Sequence, residues 1–191
     1  MFDKVPLDDH HFILRSSFPQ SFGGGINDFS HLWDLRPEEF HRVVMAGKEV
    51  PLPRWQQAYG YNYRYTGSVN KSLPIPKKLH PFLRFCHEHV DKRLNGLLLN
   101  WYDGKQGHYI GKHRDSTIGL LPQSPIVTIS LGEERVFRLR PYRGTGSVDL
   151  PVANGDVVII PWNTNLSWTH EVPKLKKYQG KRISVTLRAF V

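Results

Sequence analysis

Three side chains in the second half of the chain have the types and spacing of a metal site. His113 and Asp115 form a His-x-Asp pair, and His170 follows 57 positions after His113. Side chains two apart on a strand share a face, so His113 and Asp115 can bind one ion, with His170 supplied by another strand. Two imidazoles and one carboxylate suit non-haem iron(II), although they also accept zinc, manganese or nickel. Three ligands leave open positions on the metal, as an oxygenase requires.

A second set of polar residues alternates along the segment near the C-terminus. The sequence Arg-Ile-Ser-Val-Thr-Leu-Arg predicts a strand with Arg182, Ser184, Thr186 and Arg188 on one face. Such a face is normally a solvated surface. Because the strand follows shortly after His170, we favour arginines that bind the carboxylates of an organic acid beside the metal. The two arginine Cα atoms lie about 20 Å apart on such a strand, so the side chains must lean toward each other.

The composition indicates one globular domain with a polyanionic partner. The chain has 191 residues, of which 39% are hydrophobic and 23% charged. Its net charge of +9 favours nucleic acid as a partner, and an anionic membrane surface second. The single Cys86 excludes a disulfide within the chain, and no signal peptide or membrane-spanning run is apparent. We therefore expect an intracellular protein, cytoplasmic or nuclear, that is a monomer and has no membrane partner.

The first half of the chain contains two predicted helices. Residues 1–35 look irregular, with a flexible loop at Phe22–Gly25. Residues 37–44 have proline and acidic residues at their start, which favours a short helix. An apolar stripe with helical spacing predicts a second helix at about 76–94 and places Cys86 in the core.

After residue 96 the pattern changes to short β-rich runs separated by turn residues. These runs cover residues 97–102, 126–131, 136–140, 157–160, 168–172 and 183–190. Many short strands at close intervals predict a double-stranded β-helix, or jelly roll. The expected fold class is therefore α+β, mainly β, with the N-terminal helices packed against a jelly-roll core.

The order of these motifs resembles the AlkB family of iron(II)/2-oxoglutarate dioxygenases. That family's pattern is Asn-x-Tyr, His-x-Asp, His and Arg-x-Asn-x-Thr-x-Arg. It is matched by Asn100-Trp101-Tyr102, His113-Arg114-Asp115, His170 and Arg182–Arg188, with Ser184 in the place of the pattern's asparagine. Two further stretches, Pro53–Gly60 and Pro125–Gly132, extend the likeness over roughly residues 45–190. The resemblance implies a single domain, 1–191, with substrate recognition in 1–95 and the metal and 2-oxoglutarate sites in 96–191.

The resemblance also implies a role for each matched residue. His113, Asp115 and His170 would be the catalytic iron ligands. Arg182 would pair with the distal carboxylate of 2-oxoglutarate, and Arg188 would lie near its iron-side end. The rest of the cosubstrate site would be formed by Asn100, Tyr102, Ser184 and Thr186. Oxidative decarboxylation of this cosubstrate with O2 would hydroxylate an N-alkyl group, which would then leave as an aldehyde.

The implied substrate is an N-alkylated base in DNA or RNA, taken from a single strand or flipped out of a duplex. By the same resemblance Tyr59 lies near the base, and Trp55 can stack on it. Arg114 and Thr117, on either side of the metal ligand Asp115, complete the expected substrate-binding set. Ordinary packing is the alternative for both aromatic residues. Basic residues that could follow the phosphates are Arg54, Arg64, Lys112, Arg114, Arg138, Arg140, Lys174 and Lys177.

Three other functions stay open. Ser116-Thr117 stand where repair members of the family carry acids, which favours a protein or small-molecule substrate for the same chemistry. Charge and aromatic content also permit a non-catalytic nucleic-acid-binding module. A hydrolase would use Asp115 and His170 as acid and base, but the chain has no nucleophile motif for it.

Residues Met45–Lys48 correspond to a finger-like stretch of duplex-repair members of the family, but they lack its bulky aromatic wedge.

Overall fold

The computed structural model describes residues 2–22, 28–65 and 68–191. It contains three α-helices, α1 (Phe29–Trp33), α2 (His80–His89) and α3 (Trp162–Ser167), and short 3-10 turns at Gln20–Phe22 and Lys77–Leu79. The strands are β1 (Asp3–Pro6), β2 (Phe12–Ser17), β3 (Arg42–Met45), β4 (Lys48–Pro51), β5 (Trp55–Tyr59), β6 (Tyr63–Tyr65), β7 (Ser68–Asn70), β8 (Gly96–Asp103), β9 (Ile110–His113), β10 (Ile126–Gly132), β11 (Arg135–Pro141), β12 (Val148–Val152), β13 (Asp156–Ile160), β14 (Trp168–Val172) and β15 (Lys181–Arg188).

Two antiparallel sheets face each other and form the jelly roll that the sequence predicts. The large sheet has the order β1-β2-β13-β10-β15-β8-β5, and the small sheet has the order β12-β11-β14-β9. Apolar side chains from both sheets pack together between them, among them Ile126 and Val158 of the large sheet and Phe137 and Leu139 of the small one. Apolar residues fill part of the space between the sheets, and polar residues such as Arg182, Asp115 and His170 line the rest.

The outer face of the large sheet is covered by the N-terminal part of the chain. Leu99 and Ile129 point to this side and pack against Phe82 and Cys86 of α2. The amphipathic helix and the buried position of Cys86 are therefore confirmed, although α2 is shorter than the predicted 76–94. Burial raises the pKa of the Cys86 thiol well above its usual range, which agrees with a core residue rather than a reactive one.

Two predictions for the N-terminal region are wrong. Residues 37–44 do not form a helix, because Arg42–Met45 is a strand of the β3–β4 hairpin. The hairpin is closed by Ala46 and Gly47, both with positive φ, which is the geometry of a tight two-residue turn. Residues 1–35 are not irregular throughout either, since they contain β1, β2 and α1. Gly23–Gly25, where we expected a flexible loop, lie outside the described residues.

The N-terminal region therefore contributes more strand than helix to the fold. β2 pairs with β13 and β5 pairs with β8, so strands from before and after residue 95 lie in one sheet. In the part of the chain that the structure describes, no helix is both long and apolar enough to cross a membrane.

Candidate active site

The polar residues of β15 face the space between the two sheets. Ile183, Val185 and Leu187 lie in the core on the outer side, as the alternation predicts. The opposite face is not solvated, since Arg182 is only 1% exposed and Ser184, Thr186 and Arg188 are buried as well. The small sheet covers these residues, which a single amphipathic strand cannot reveal. Buried polar groups need hydrogen-bond partners, so this face has the character of a binding site rather than of a solvated surface.

Neighbouring strands extend the polar face across the large sheet. Ser184 lies opposite Ser130 on one side and opposite Asn100 on the other, and Asn100 lies opposite Gln56. These four side chains form a row over β10, β15, β8 and β5. They all share one face, because directly paired residues of antiparallel strands point the same way.

The three expected metal ligands come together at the open end of this space. His113 ends β9 and lies directly opposite His170 on β14. Asp115 follows β9 in the connecting segment. One ligand atom from each residue lies within 4.8 Å of the others, and the two imidazole rings are 4.3 Å apart at their centres. The pairing of β9 with β14 thus places the two histidines side by side, and the segment after β9 brings the Asp115 carboxylate next to them.

Hydrogen bonds orient these ligand atoms. His113 donates from Nδ1 to the Gly111 carbonyl at 2.9 Å, which leaves Nε2 for a metal. Arg188 donates from Nε and Nη2 to Oδ2 of Asp115 at 2.9 and 2.7 Å. The other oxygen, Oδ1, accepts the Tyr63 hydroxyl at 3.2 Å and lies 3.8 Å from Nε2 of His113. Oδ1 is therefore the carboxylate oxygen that faces the imidazoles.

The protonation states favour metal binding. Burial lowers the pKa of His170 to about 3 and also lowers the pKa of His113, so both rings are neutral near pH 7. Burial opposes ionisation of Asp115, but the charge and hydrogen bonds of Arg188, together with the electrostatic effect of His170 and His113, outweigh it, and the pKa falls to about 2. Metal ions bind neutral imidazole and ionised carboxylate, which are the forms present here.

Asn165 of α3 holds the backbone of Asp115 on both sides. Its Oδ1 accepts the Asp115 N–H at 3.0 Å, and its Nδ2 donates to the Asp115 carbonyl at 3.1 Å. Neither Asn165 nor Tyr63 was among the predicted site residues, because they lie 50 and 52 positions from Asp115 in sequence. No local pattern marks either of them, since their contacts depend on how the small sheet and the hairpin fold back.

The cavity between the sheets extends from the metal ligands to Arg182. Including its open mouth it contains about 480 Å³ of empty space. Arg182 donates from Nε to Ser130 Oγ at 2.9 Å, and its guanidinium lies 5.1 Å from the centre of the Tyr102 ring. Among the described residues, Nη1 of Arg182 is buried without a hydrogen-bond partner. A buried guanidinium with a free donor that faces a cavity is suited to a carboxylate ligand.

Arg54 belongs to this cavity and not to a phosphate-binding surface, contrary to the expectation. It is 3% exposed, and it donates from Nε to Asn100 Oδ1 at 2.7 Å. Asn100, one of the expected cosubstrate residues, is therefore fixed in orientation by a buried cation. Two other expected phosphate-binding residues, Arg138 and Arg140, are paired with Asp149 and Glu171.

Trp55 and Tyr59 face away from the cavity that contains His113, Asp115 and His170. Trp55 pairs with Trp101 and Tyr59 pairs with Leu97, so both point to the outer side of the large sheet. Tyr59 is buried in the core there, and Trp55 packs against the same cluster. The alternative of ordinary packing is correct for both. Gln56, between them in sequence, is the residue of β5 that points to the polar row.

Arg114 and Thr117 are also outside the described lining of the cavity. Arg114 points away from its neighbours His113 and Asp115, and its guanidinium lies 3.6 Å from the centre of the Tyr142 ring. Thr117 begins a turn in which its carbonyl accepts the Leu120 N–H. Closeness to Asp115 in sequence therefore does not place either side chain in the cavity.

A jelly roll that brings two histidines and a buried carboxylate together in one cavity with an arginine that keeps a free donor matches the class of non-haem oxygenases that use an organic-acid cosubstrate. A sequence profile of the 2OG-Fe(II) oxygenase superfamily matches residues 35–188. The chain belongs to this superfamily, whose members use iron(II) and 2-oxoglutarate, as its description states.

Curated relatives confirm the AlkB-like resemblance. The chain is 33% identical over 162 residues to a human protein named DNA oxidative demethylase ALKBH2. This match covers 77% of the chain and 60% of the relative. It is 28% identical over 152 residues to the rat protein named alpha-ketoglutarate-dependent dioxygenase alkB homolog 3, a match that covers 72% of the chain and 50% of that relative. The chain thus spans only 50 to 60% of the length of these two relatives.

The fold is shared with a solved structure described as OsALKBH1. The TM-score is 0.64, and the match covers 97% of this chain and 99% of that one. Sequence identity is 14%, so this likeness concerns the fold alone.

The residues present fit both groups that the superfamily uses. The donor set of two neutral imidazoles and one carboxylate suits iron(II). The free Nη1 of Arg182, a residue that lines the cavity, is a buried donor that a carboxylate cosubstrate could satisfy.

Proposed function

We propose that the protein is an iron(II)- and 2-oxoglutarate-dependent dioxygenase that removes N-alkyl groups from bases of DNA or RNA. The observation that carries the oxygenase chemistry is the buried, unpartnered Nη1 of Arg182 in the cavity that also contains His113, Asp115 and His170. The nucleic-acid substrate is supported by the relatives, whose printed names include DNA oxidative demethylase. A net charge of +9 agrees with a polyanionic substrate.

In this proposal each polar residue of the cavity has one task. His113, Asp115 and His170 hold the metal, and Arg188 keeps Oδ1 of Asp115 turned toward it. Arg182 binds the distal carboxylate of the cosubstrate. The remaining polar contacts to the cosubstrate come from Asn100, Tyr102, Ser184 and Thr186. Because Arg182 and Arg188 lie at opposite ends of β15 and Arg188 is committed to Asp115, the two arginines need not converge on one diacid.

Iron held by His113, Asp115 and His170 would, with 2-oxoglutarate and dioxygen, supply the chemistry that hydroxylates an N-alkyl carbon. One oxygen atom enters the substrate and the other enters succinate, with release of carbon dioxide. The hydroxylated N-methyl group then loses formaldehyde and leaves an N–H on the base. Tyr63 lines the cavity and donates its hydroxyl proton to Oδ1 of Asp115, which helps to hold that carboxylate in place.

The proposal is tested by parallel measurement of succinate and formaldehyde. The substrates are N-methylated single-stranded DNA, duplex DNA and RNA, each with its unmethylated counterpart. Equal amounts of both products from at least one methylated substrate are expected. The His170→Ala variant should give neither product and should lose the visible absorption band that iron(II) and 2-oxoglutarate produce without oxygen. Succinate without formaldehyde on all three would instead favour a protein or small-molecule substrate.

We also propose that the enzyme acts as an intracellular monomer. Nucleic acid is an intracellular substrate, and the single Cys86 is a free, buried thiol. Light scattering would check the monomer, and localisation of a tagged full-length protein would check the compartment.

A further inference from the structure

A second cavity, which we call the flanking groove, opens beside the metal site. Including its open mouth, it contains about 790 Å³ of empty space. Its lining residues come from three separate stretches of the chain, Tyr61–Arg64, Ser116–Leu120 and Phe190–Val191. None of the sequence motifs points to this groove, and no residue of the proposed metal or cosubstrate sites lines it.

The flanking groove and the active-site cavity share a wall. Tyr63 lines both, and its hydroxyl donates to the metal ligand Asp115. Ser116, which directly follows that ligand, is exposed in the groove. A substrate whose reacting group enters the cavity near Asp115 would therefore lay its neighbouring unit along this groove.

The chemistry of the lining suits a nucleotide. Tyr61 is stacked on Phe190, with ring centres 5.3 Å apart and planes inclined by 5°, yet 40% of its surface stays exposed. Ile118 adds an apolar side chain that is 80% exposed. Flat exposed rings beside a cleft are the platforms on which bases stack in single-stranded nucleic acids, and this stacking tolerates any base sequence.

Charge points the same way. Arg64 is exposed at the groove, and no acidic side chain is among the described residues that line it. The Ser116 hydroxyl accepts the Ile118 N–H at 3.3 Å, and its own proton can be donated to a ligand. A cation and a hydroxyl next to an aromatic platform match a phosphate attached to a stacked base.

We propose that the flanking groove binds the nucleotide next to the target base in single-stranded nucleic acid. Tyr61 stacks on the neighbouring base, and Arg64 contacts the phosphate that links it to the target. This inference rests on the proposed function and extends it, because it assigns the substrate class to a strand rather than to a free base or nucleotide.

The test compares two substrates with the same N-methylated base, a mononucleotide and a single-stranded pentanucleotide. The Tyr61→Leu variant should raise KM for the pentanucleotide about 5- to 150-fold, which is the range expected for one base–aromatic stack. It should leave kcat on the pentanucleotide and all constants on the mononucleotide unchanged. Tyr61→Phe is the matched control, since it keeps the ring and should stay within about twofold of the wild type.

Arg64→Gln gives an independent reading. The slope of log KM against log salt concentration should fall by about 0.7, the contribution of one phosphate contact on a single strand. Equal effects of Tyr61→Leu on both substrates, or none on either, would overturn the inference while wild-type turnover leaves the proposed function standing. Absence of wild-type turnover on both substrates would overturn both proposals. A wild-type dimer that Tyr61→Leu dissociates would assign the groove to a second copy of the chain.

Discussion

Arg182 offers the sharpest test of the cosubstrate site, because it is a buried cation that lines the cavity. It is 1% exposed, and among the described residues it forms no ion pair. Burial lowers the pKa of its guanidinium from the ordinary value, which shows that the folded protein disfavours the charge. A carboxylate ligand would remove this penalty, so the energetic cost of burying Arg182 is available as affinity for 2-oxoglutarate.

The expected loss of affinity for 2-oxoglutarate follows from the two parallel N–H groups that a guanidinium can present to a carboxylate. Arg182→Lys keeps the charge but loses one of two hydrogen bonds to the carboxylate. A hydrogen bond to a charged group contributes about 1.5–3 kcal/mol, so KM for 2-oxoglutarate should rise about 10- to 150-fold. Arg182→Met removes both bonds and the charge, and 2-oxoglutarate should no longer bind at millimolar concentration.

The stability of the unliganded protein should respond in the opposite direction. Arg182→Met loses the bond to Ser130 Oγ and a contact with Tyr102, but it also relieves the desolvation of an unpaired cation, which costs several kcal/mol. The variant should therefore melt no lower than the wild type. The wild type, by contrast, should gain about 2.7 kcal/mol from 2-oxoglutarate at one hundred times its Kd, and the variant should gain nothing.

The assays are succinate formation at varied 2-oxoglutarate and thermal unfolding with and without it under anaerobic iron(II). Arg135→Met is the matched control, since Arg135 is equally buried but is paired with Glu133 and does not line the cavity. It should lower the melting temperature and leave KM for 2-oxoglutarate unchanged. If Arg182→Met keeps the ligand-induced stabilisation, Arg182 does not bind the cosubstrate and the assignment is wrong.

Three further predictions concern residues around the site and in the hairpin. Asn165→Asp replaces the donor to the Asp115 carbonyl with an acceptor, and metal affinity measured by titration should fall about 10- to 100-fold. Burial lowers the pKa of His108 below its ordinary 6.5, so its share of stability is present above pH 6.5 and is lost as the pH falls below it. The melting temperature of the wild type should thus fall more between about pH 7.5 and 5.5 than that of His108→Asn, and equal falls would contradict this. Ala46→Asn should stabilise the β3–β4 turn by roughly 0.5–1 kcal/mol in chemical denaturation, because asparagine tolerates positive φ better than alanine.

The parts of the fold that the sequence predicted are those with a strong local period. The alternation of Arg182 to Arg188 gave both the strand and its two faces, and the apolar stripe gave α2. The helix expected at residues 37–44 failed because proline and acidic residues open turns and hairpins as readily as helices, and Gly47 was the clearer signal.

The candidate site divides in the same way. The residues predicted for the metal and the cosubstrate come from motifs on single strands, and the structure brings them together. Trp55 and Tyr59 were misplaced because the face of a residue depends on the register of its strand with the neighbour, which no local pattern reveals. Arg54 was assigned to the wrong surface and Asn165 was missed for a related reason, since a hydrogen bond across the fold has no signature in the chain.

The two faces of β15 have a consequence for how this protein can change over evolutionary time. An insertion or deletion of one residue between Arg182 and Arg188 would exchange the two faces for the part of the strand on one side of it, so that one arginine would turn into the hydrophobic core and its apolar neighbours into the cavity. The strand can therefore accept substitutions one at a time but no change in length. The connection at residues 142–147 between β11 and β12 is largely exposed and should accept such changes freely. New variants of this scaffold should differ in the lengths of their loops, while the spacing between Arg182 and Arg188 stays constant.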